Sequence, residues 1–204
     1  MKNSIELVKK IQAIAYGGLE YSENIFDRER YAELKTLSQK LLAELTGNSQ
    51  QTIEQLFQKE VGYQTPKVDV RAVVFKENKI LLVREKVDGC WSVPGGWADI
   101  GLAPSEIAVK EAKEEAGVEV KPIRLLAVID KLKHDYPVSP FHTYKLFILC
   151  ALVNGALSPG TETLEVNFFD RNALPELSAT RITASQIAML FHLWENPSEP
   201  VVFD

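Results

Sequence analysis

Three glutamates, Glu111, Glu114 and Glu115, carry the most chemical content in this chain, within the run GGWADIGLAPSEIAVKEAKEEAGV from Gly95 to Val118. Offsets of three and four residues put their carboxylates on one face of a helix. Like charges at those offsets repel by roughly 0.2–0.5 kcal/mol per pair on an exposed helix. One explanation is a solvated charged face, with Lys110 and Lys113 as counter-charges. The other is a site for a hard divalent cation such as Mg²⁺, which prefers oxygen ligands and keeps several waters. Such a cation makes a bound water a better nucleophile and offsets charge on a phosphate. A Gly-rich turn ahead of the three glutamates and Gly117 behind them bound the segment and favour the second explanation. Pro104 suits the first helical position, Ala103 before it is a weak cap, and Gly117 is a natural left-handed stop.

The elements that must position these groups fall into two textures. Residues 1–62 read as three helices, a small N-terminal helical domain. Ile5, Val8, Ile11, Ala15 and Leu19 form a first apolar stripe that Gly17-Gly18 is expected to end. Asp27 is the candidate N-cap of a second helix carrying Tyr31, Leu34, Leu37, Leu41, Leu42 and Leu45, stopped by Gly47-Asn48. Ser49 or Thr52 opens a third, with Ile53, Leu56 and Phe57. So small a unit needs other surface to cover its apolar face, and the expectation is a homodimer. After a linker at Gly62–Pro66, residues 67–204 mix strands and helices. Val68–Phe75 and Ile80–Val83 flank a hairpin turn at Glu77-Asn78, and Trp91–Val93 is a short strand stopped by Pro94-Gly95-Gly96. Further strands are expected near Glu119–Val120, Leu125–Asp130, Thr143–Val153 and Val166–Phe169, with a polar loop from Lys131 to Phe141 and a helix from Ile182 to Trp194. The order lacks a regular βαβ alternation, which favours an α+β fold, a mixed sheet between helices.

Gly96, Glu111, Glu114, Glu115 and Gly117, with Ala112 and Val118 at the apolar places, resemble the signature of the Nudix hydrolases. The resemblance covers roughly Val68 to Trp194, and Trp91–Gly95 matches the family's lead-in. It implies an α/β/α sandwich, Mg²⁺ with Mn²⁺ as an alternative, and water attack on a P–O–P bond. It also implies Glu111, Glu114 and Glu115 as metal ligands, with Glu115 in catalysis and Gly96 at the substrate. Two positions depart from the pattern. Leu102 stands where a glutamate is expected and Lys110 where an arginine is expected, and Asp99 is a candidate to supply the missing carboxylate. The N-terminal run IQAIAYGGLEYSENIFDRERYAEL resembles the helical extension of a bacterial Nudix subgroup acting on nucleoside diphosphates linked to a second group. ADP-ribose, giving AMP and ribose 5-phosphate, is the substrate that resemblance implies first, and CDP-choline the second.

Beyond the signature, Glu162 and Glu165 precede a late strand. The resemblance implies an acidic residue from this loop as general base or further metal ligand, and Glu162 matches that place best, with a charged loop as the alternative. Arg71 and Arg84 are candidates to meet a phosphate, with structural roles as the alternative. Tyr136, in the loop with Lys131, Lys133, His134 and Asp135, is a candidate to contact substrate. Trp91, Trp97, Tyr136 and Phe141 are candidates to stack on a base, Trp91 more readily as core. His134, His142 and His192 show no ligand spacing. The formal net charge of −5 argues against long nucleic acid and anionic membranes as partners. Two cysteines without motif spacing, no signal-peptide pattern and no long apolar run make the cytoplasm the expected location. The rival functions are a phosphohydrolase of RNA ends and a non-catalytic nucleotide-binding module. The intact glutamate trio speaks against the latter.

Overall fold

The computed structural model describes residues 2–58 and 60–204. The chain divides into two compact units, Met1–Pro66 with Val138–His142, and Lys67–Pro137 with Thr143–Asp204.

The first unit holds helices α1 (Lys2–Tyr21), α2 (Ile25–Thr46) and α3 (Gln50–Phe57). The helix α1 does not stop at Gly17-Gly18. A Cβ on Gly18 would sit 2.4 Å from the Tyr31 ring, so this glycine is a notch that lets α2 approach. The cap of α2 is Asn24, whose side chain accepts from the Phe26 and Asp27 N–H groups. Asp27 lies inside the first turn and pairs with Arg30 at 2.7 Å. Gly47 closes α2 in the left-handed region, and the Ser49 side chain caps α3. Ile5, Val8, Leu42, Ala43, Ile53 and Phe57 form a small core. Other apolar side chains face outward, among them Leu7, Ile14, Leu37 and Leu41, whereas Gln12, Ser38 and Gln39 are buried.

The second unit is built on one mixed sheet. Its strands are β1 (Lys67–Lys76), β2 (Lys79–Glu85), β3 (Trp91–Ser92), β4 (Gly95–Trp97), β5 (Glu119–Asp130), β6 (Thr143–Asn154), β7 (Thr163–Asp170) and β8 (Val202–Phe203). The order is β3-β2-β1-β6-β5-β8, with β4 also on β1 and β7 on β2. The β1–β6 and β5–β8 pairs are parallel and the rest antiparallel. Glu77 and Asn78 both take positive φ in the β1–β2 turn, as a tight hairpin requires. The two segments expected around Glu119 and Leu125 are one strand whose register shifts at Pro122, which has no N–H to give. Gly95-Gly96 does not end the strand region but pairs with Val70 and Arg71. At Gly95, φ is 149° and a Cβ would lie 2.1 Å from the Val70 carbonyl oxygen, so only glycine fits.

Alternation along the strands makes two apolar faces. Val70, Ala72, Val74, Leu81 and Val83 meet Ile107, Ala108, Ala112 and Ala116 of α4 (Pro104–Ala116). Val73, Ile80, Leu82 and Phe147 meet Ile187, Leu190 and Phe191 of α5 (Ala184–Glu195). The apolar stripe of α4 therefore fixes the rotation of the helix, and with it the direction of its glutamates.

A loop ahead of β7 locks onto the end of α4. The Thr163 hydroxyl donates to the Glu115 carbonyl at 2.9 Å and accepts from the Gly160 N–H at 2.7 Å. The Ser158 N–H donates to the Ala116 carbonyl. Gly160 packs so closely that a Cβ there would meet the Glu114 carbonyl oxygen at 1.8 Å. Gly160→Ala is therefore expected to lift this loop off the helix, cost about 1–3 kcal/mol in urea unfolding, and reduce hydrolytic activity in a protein that still folds. Unchanged stability and activity would show that the loop is not docked this way.

Candidate active site

The wall of α4 brings the signature carboxylates to one cleft of about 500 Å³. Glu115 is buried, and its carboxylate accepts the Gly95 N–H at 2.9 Å. Burial, with added repulsion from Glu85 and Glu111, pushes its pKa up to about 7, against the pull of the Gly95 N–H and the Arg71 charge. Glu111 lies over Gly96, where a Cβ would be 3.4 Å from both carboxylate oxygens. Burial raises its pKa too, with Lys110 pulling down and Glu114 pushing up. Glu114 is more exposed and lies 3.4 Å from Lys110. Glu162 is exposed and lines the same cleft.

The base of the cleft holds a buried charge network. Asp69 accepts Arg71 Nε at 2.7 Å, Arg71 Nη2 at 3.1 Å and Lys145 Nζ at 2.6 Å. Arg71 Nη1 donates to the Val93 carbonyl at 3.0 Å. Burial would raise the Asp69 pKa, but the Arg71 and Lys145 charges hold it near 2. Burial and then the Arg71 charge bring Lys145, which is fully enclosed, down to about 7.

The sequence-level candidates separate here. Glu111, Glu114, Glu115, Glu162, Gly96 and Arg71 line the cleft. Arg71 does so with its fork engaged by Asp69 and Val93. Arg84 and Glu165 pair with each other at 2.7 Å, and Arg84 Nε donates to the Gly89 carbonyl. Neither lines the cleft. Tyr136 is buried, with its hydroxyl against the Arg181 carbonyl at 3.2 Å and the Gln186 side chain, and it does not line the cleft. Trp97 is half exposed and lines the cleft, whereas Trp91 packs edge-on against Phe169 and Phe141 packs on Phe57. Sequence reasoning missed Asp69, Glu85 and Arg181 as cleft residues. Asp69 carried a local signal, a charge inside the apolar run Val68-Asp69-Val70-Arg71, whereas Glu85 and Arg181 carried none.

Among the described residues no three acidic, cysteine or histidine side chains already converge as a metal cage. The donor chemistry nevertheless fits a hard cation: Glu111 and Glu115 offer carboxylate oxygens, are crowded by like charge, and hold protons more tightly than ordinary carboxylates.

A family profile described as "NUDIX domain" matches residues 65–191. The chain belongs to the Nudix hydrolase family. A second profile, "UDP-X-like, N-terminal oligomerisation domain", matches residues 2–57. The chain is 48% identical, over 98% of its length and 96% of the relative's, to YjhB of Bacillus subtilis (strain 168), provisionally named an ADP-ribose pyrophosphatase. It is 34% identical, over 57% of its length and 69% of the relative's, to an ADP-ribose pyrophosphatase of Methanocaldococcus jannaschii. Among solved structures, a UDP-X diphosphatase aligns over 100% of both chains with a TM-score of 0.65 at 32% identity. An ADP-ribose pyrophosphatase of Streptococcus suis aligns over 69% of this chain and 100% of its own with a TM-score of 0.63 at 42% identity.

The two departures from the Nudix signature are legible in the geometry. Lys110 Nζ donates to Asp99 at 2.9 Å, and Leu102 is partly exposed beyond that pair. The loop-to-helix contact thus runs from Asp99, three residues earlier than the usual glutamate position. The Ala103 N–H is taken by the Glu106 carboxylate at 2.7 Å, the returning half of a capping box, while Ala103 offers no side-chain oxygen to the first-turn N–H groups.

The raised Glu115 pKa sets a pH dependence. The unfolded carboxyl ionises near 4.5 and the folded one near 7. Between these values the folded state keeps a proton the unfolded chain has released, so stability falls as pH rises, and the loss is complete above about 7. Urea unfolding in the presence of chelator is expected to show this decline, and Glu115→Gln is expected to flatten it. A decline that persists in the variant would assign it to another group.

Proposed function

We propose that this Nudix hydrolase is a divalent-cation-dependent pyrophosphatase of nucleoside diphosphates linked to a second group, with ADP-ribose as the first substrate. The observation that carries it is the crowding of Glu111 and Glu115 at a cleft that also takes in Glu162. Glu111, Glu114 and Glu115 hold the ion, Mg²⁺ or Mn²⁺. When bound, the ion supplies charge neutralisation on the diphosphate and acidifies water. Glu115 is fixed for this by the Gly95 N–H, and Gly96 leaves room beside Glu111. Glu162, on the docked loop, takes the proton of the attacking water. The water oxygen bonds to phosphorus, the bond to the bridging oxygen breaks, and ADP-ribose yields AMP and ribose 5-phosphate. The names of the bacterial and archaeal relatives support the substrate class.

CDP-choline is the second substrate. Trp97, the one aromatic side chain lining the cleft among the described residues, together with Asp99, suits a cationic head group. The helical unit pairs with a second copy of the chain. This is supported by the outward Leu7, Ile14, Leu37 and Leu41 and by the match to an oligomerisation domain.

The test is a panel of ADP-ribose, CDP-choline, NADH, a nucleoside triphosphate and a short capped RNA, incubated with Mg²⁺ and resolved by chromatography. ADP-ribose is expected to be cleaved fastest, chelator to stop the reaction, and Glu115→Gln to lower kcat at least roughly a hundredfold in a folded protein. Preference for the RNA would replace the substrate class. Cleavage of none would leave a nucleotide-binding module.

A further inference from the structure

The cleft also has a cationic lining. Four cations take part: Arg71, Lys131 and Arg181, with Asp69 and Glu85 among them, and Lys110 on α4 beside the glutamates. Two of them are already occupied. The Arg71 fork is held by Asp69 and Val93, and the Lys110 ammonium by Asp99 and Glu114. Lys131 is not neutralised in the same way, and Arg181 is paired through its Nε alone at short range. Lys131 Nζ donates to a neutral carbonyl, that of Thr180, at 2.7 Å. Arg181 gives its Nε to Glu85 at 3.0 Å, while its Nη1 approaches a carboxylate, that of Asp88, only at 3.9 Å.

These two side chains come from distant segments, and Tyr136 joins them. Lys131 follows β5 and sits over the Tyr136 ring, 4.8 Å from its centroid. Arg181 precedes α5, and its carbonyl accepts from the Tyr136 hydroxyl. Burial makes Lys131 hold its proton less tightly than an ordinary lysine, with the Asp69 charge opposing this and the Arg71 and Arg181 charges adding to it. An anion placed between Lys131 and Arg181 relieves that repulsion and meets charge-assisted donors.

We propose that Lys131 and Arg181 form an anion subsite that receives the phosphate of the diphosphate farther from the α4 carboxylates, with Tyr136 touching the Lys131 ammonium through its ring and the Arg181 backbone through its hydroxyl. The identity of the ligand rests on the pyrophosphatase reading, whereas the site itself is open to a separate measurement. A diphosphate then lies across the cleft with one phosphate toward Glu111 and Glu115 and the other on the cationic wall. This orientation favours substrates with two linked phosphates over monophosphate esters.

The experiment is calorimetric titration of inorganic pyrophosphate into the full chain, in chelator and at low salt. The proteins are the unaltered chain, Lys131→Gln, Arg181→Gln, Arg181→Lys, and Arg171→Gln as a control whose arginine pairs with Glu195 outside the cleft. The unaltered chain and the control are expected to bind alike. Lys131→Gln and Arg181→Gln are each expected to weaken binding by about tenfold or more, and Arg181→Lys to recover part of it. Arg181→Gln leaves the buried Glu85 without its ion pair. If that variant fails to fold, Lys131→Gln carries the test, because its partner is only a carbonyl. Binding that is equal in Lys131→Gln and the unaltered chain, or no binding by the unaltered chain, overturns the subsite. Pyrophosphate binding that depends on Lys131, combined with no cleavage of any nucleotide, would keep the subsite and remove the pyrophosphatase reading.

Discussion

Glu115 is held where a carboxylate resists ionisation. It is buried, close enough to Glu85 and Glu111 to be repelled by both, and tied by its own oxygen to the Gly95 N–H. Much of the second unit maintains that placement. The Ala108, Ala112 and Ala116 stripe lets α4 sit close on the sheet, Gly95 removes the Cβ that would strike Val70, and Thr163 clamps the Glu115 carbonyl from the far side. A charge so enclosed costs folding free energy unless something compensates it. A hard cation is a compensation of the right sign and chemistry.

The fold separates charge across the cleft. Glu111, Glu114 and Glu115 ride on one helix, with Lys110 among them, so their spacing is set by helical geometry. The cations come from strands and loops of separate origin: Arg71 from β1, Lys131 from the turn after β5, Arg181 from the loop before α5. Asp69 and Lys145 beneath them keep Arg71 oriented, and the low Asp69 pKa means that this anchor persists in acid. Charges held by such neighbours are already oriented, which is the setting in which fixed charges act most strongly.

Local features were legible in the sequence. Pro104 and Gly117 bound α4, Glu77-Asn78 makes the hairpin, and Gly47 ends α2, because each depends on backbone preferences of a few neighbouring residues. The glutamate trio was legible for the same reason, since one helix carries it. Features that depend on distant partners were not. Gly18 looked like a helix stop because the sequence does not show the Tyr31 ring that it accommodates. Arg84 and Glu165 looked like site residues, yet cross-strand pairing of β2 with β7 puts them against each other. Tyr136 looked like a contact residue, and the Arg181 carbonyl and Gln186 make it a brace. Arg181 itself gave no signal, because nothing near it in the chain reveals that Glu85 waits across the fold.

The central claim is that the α4 carboxylates are crowded because they hold a divalent cation. The most direct measurement is calorimetric titration of Mn²⁺ into the substrate-free chain at about pH 6 and pH 8, in buffers of different ionisation heat. With Glu115 titrating near 7, the account predicts tighter binding at the higher pH and proton release on binding at the lower. Absence of Mn²⁺ binding, or binding that neither releases protons nor changes between the two pH values, would contradict it.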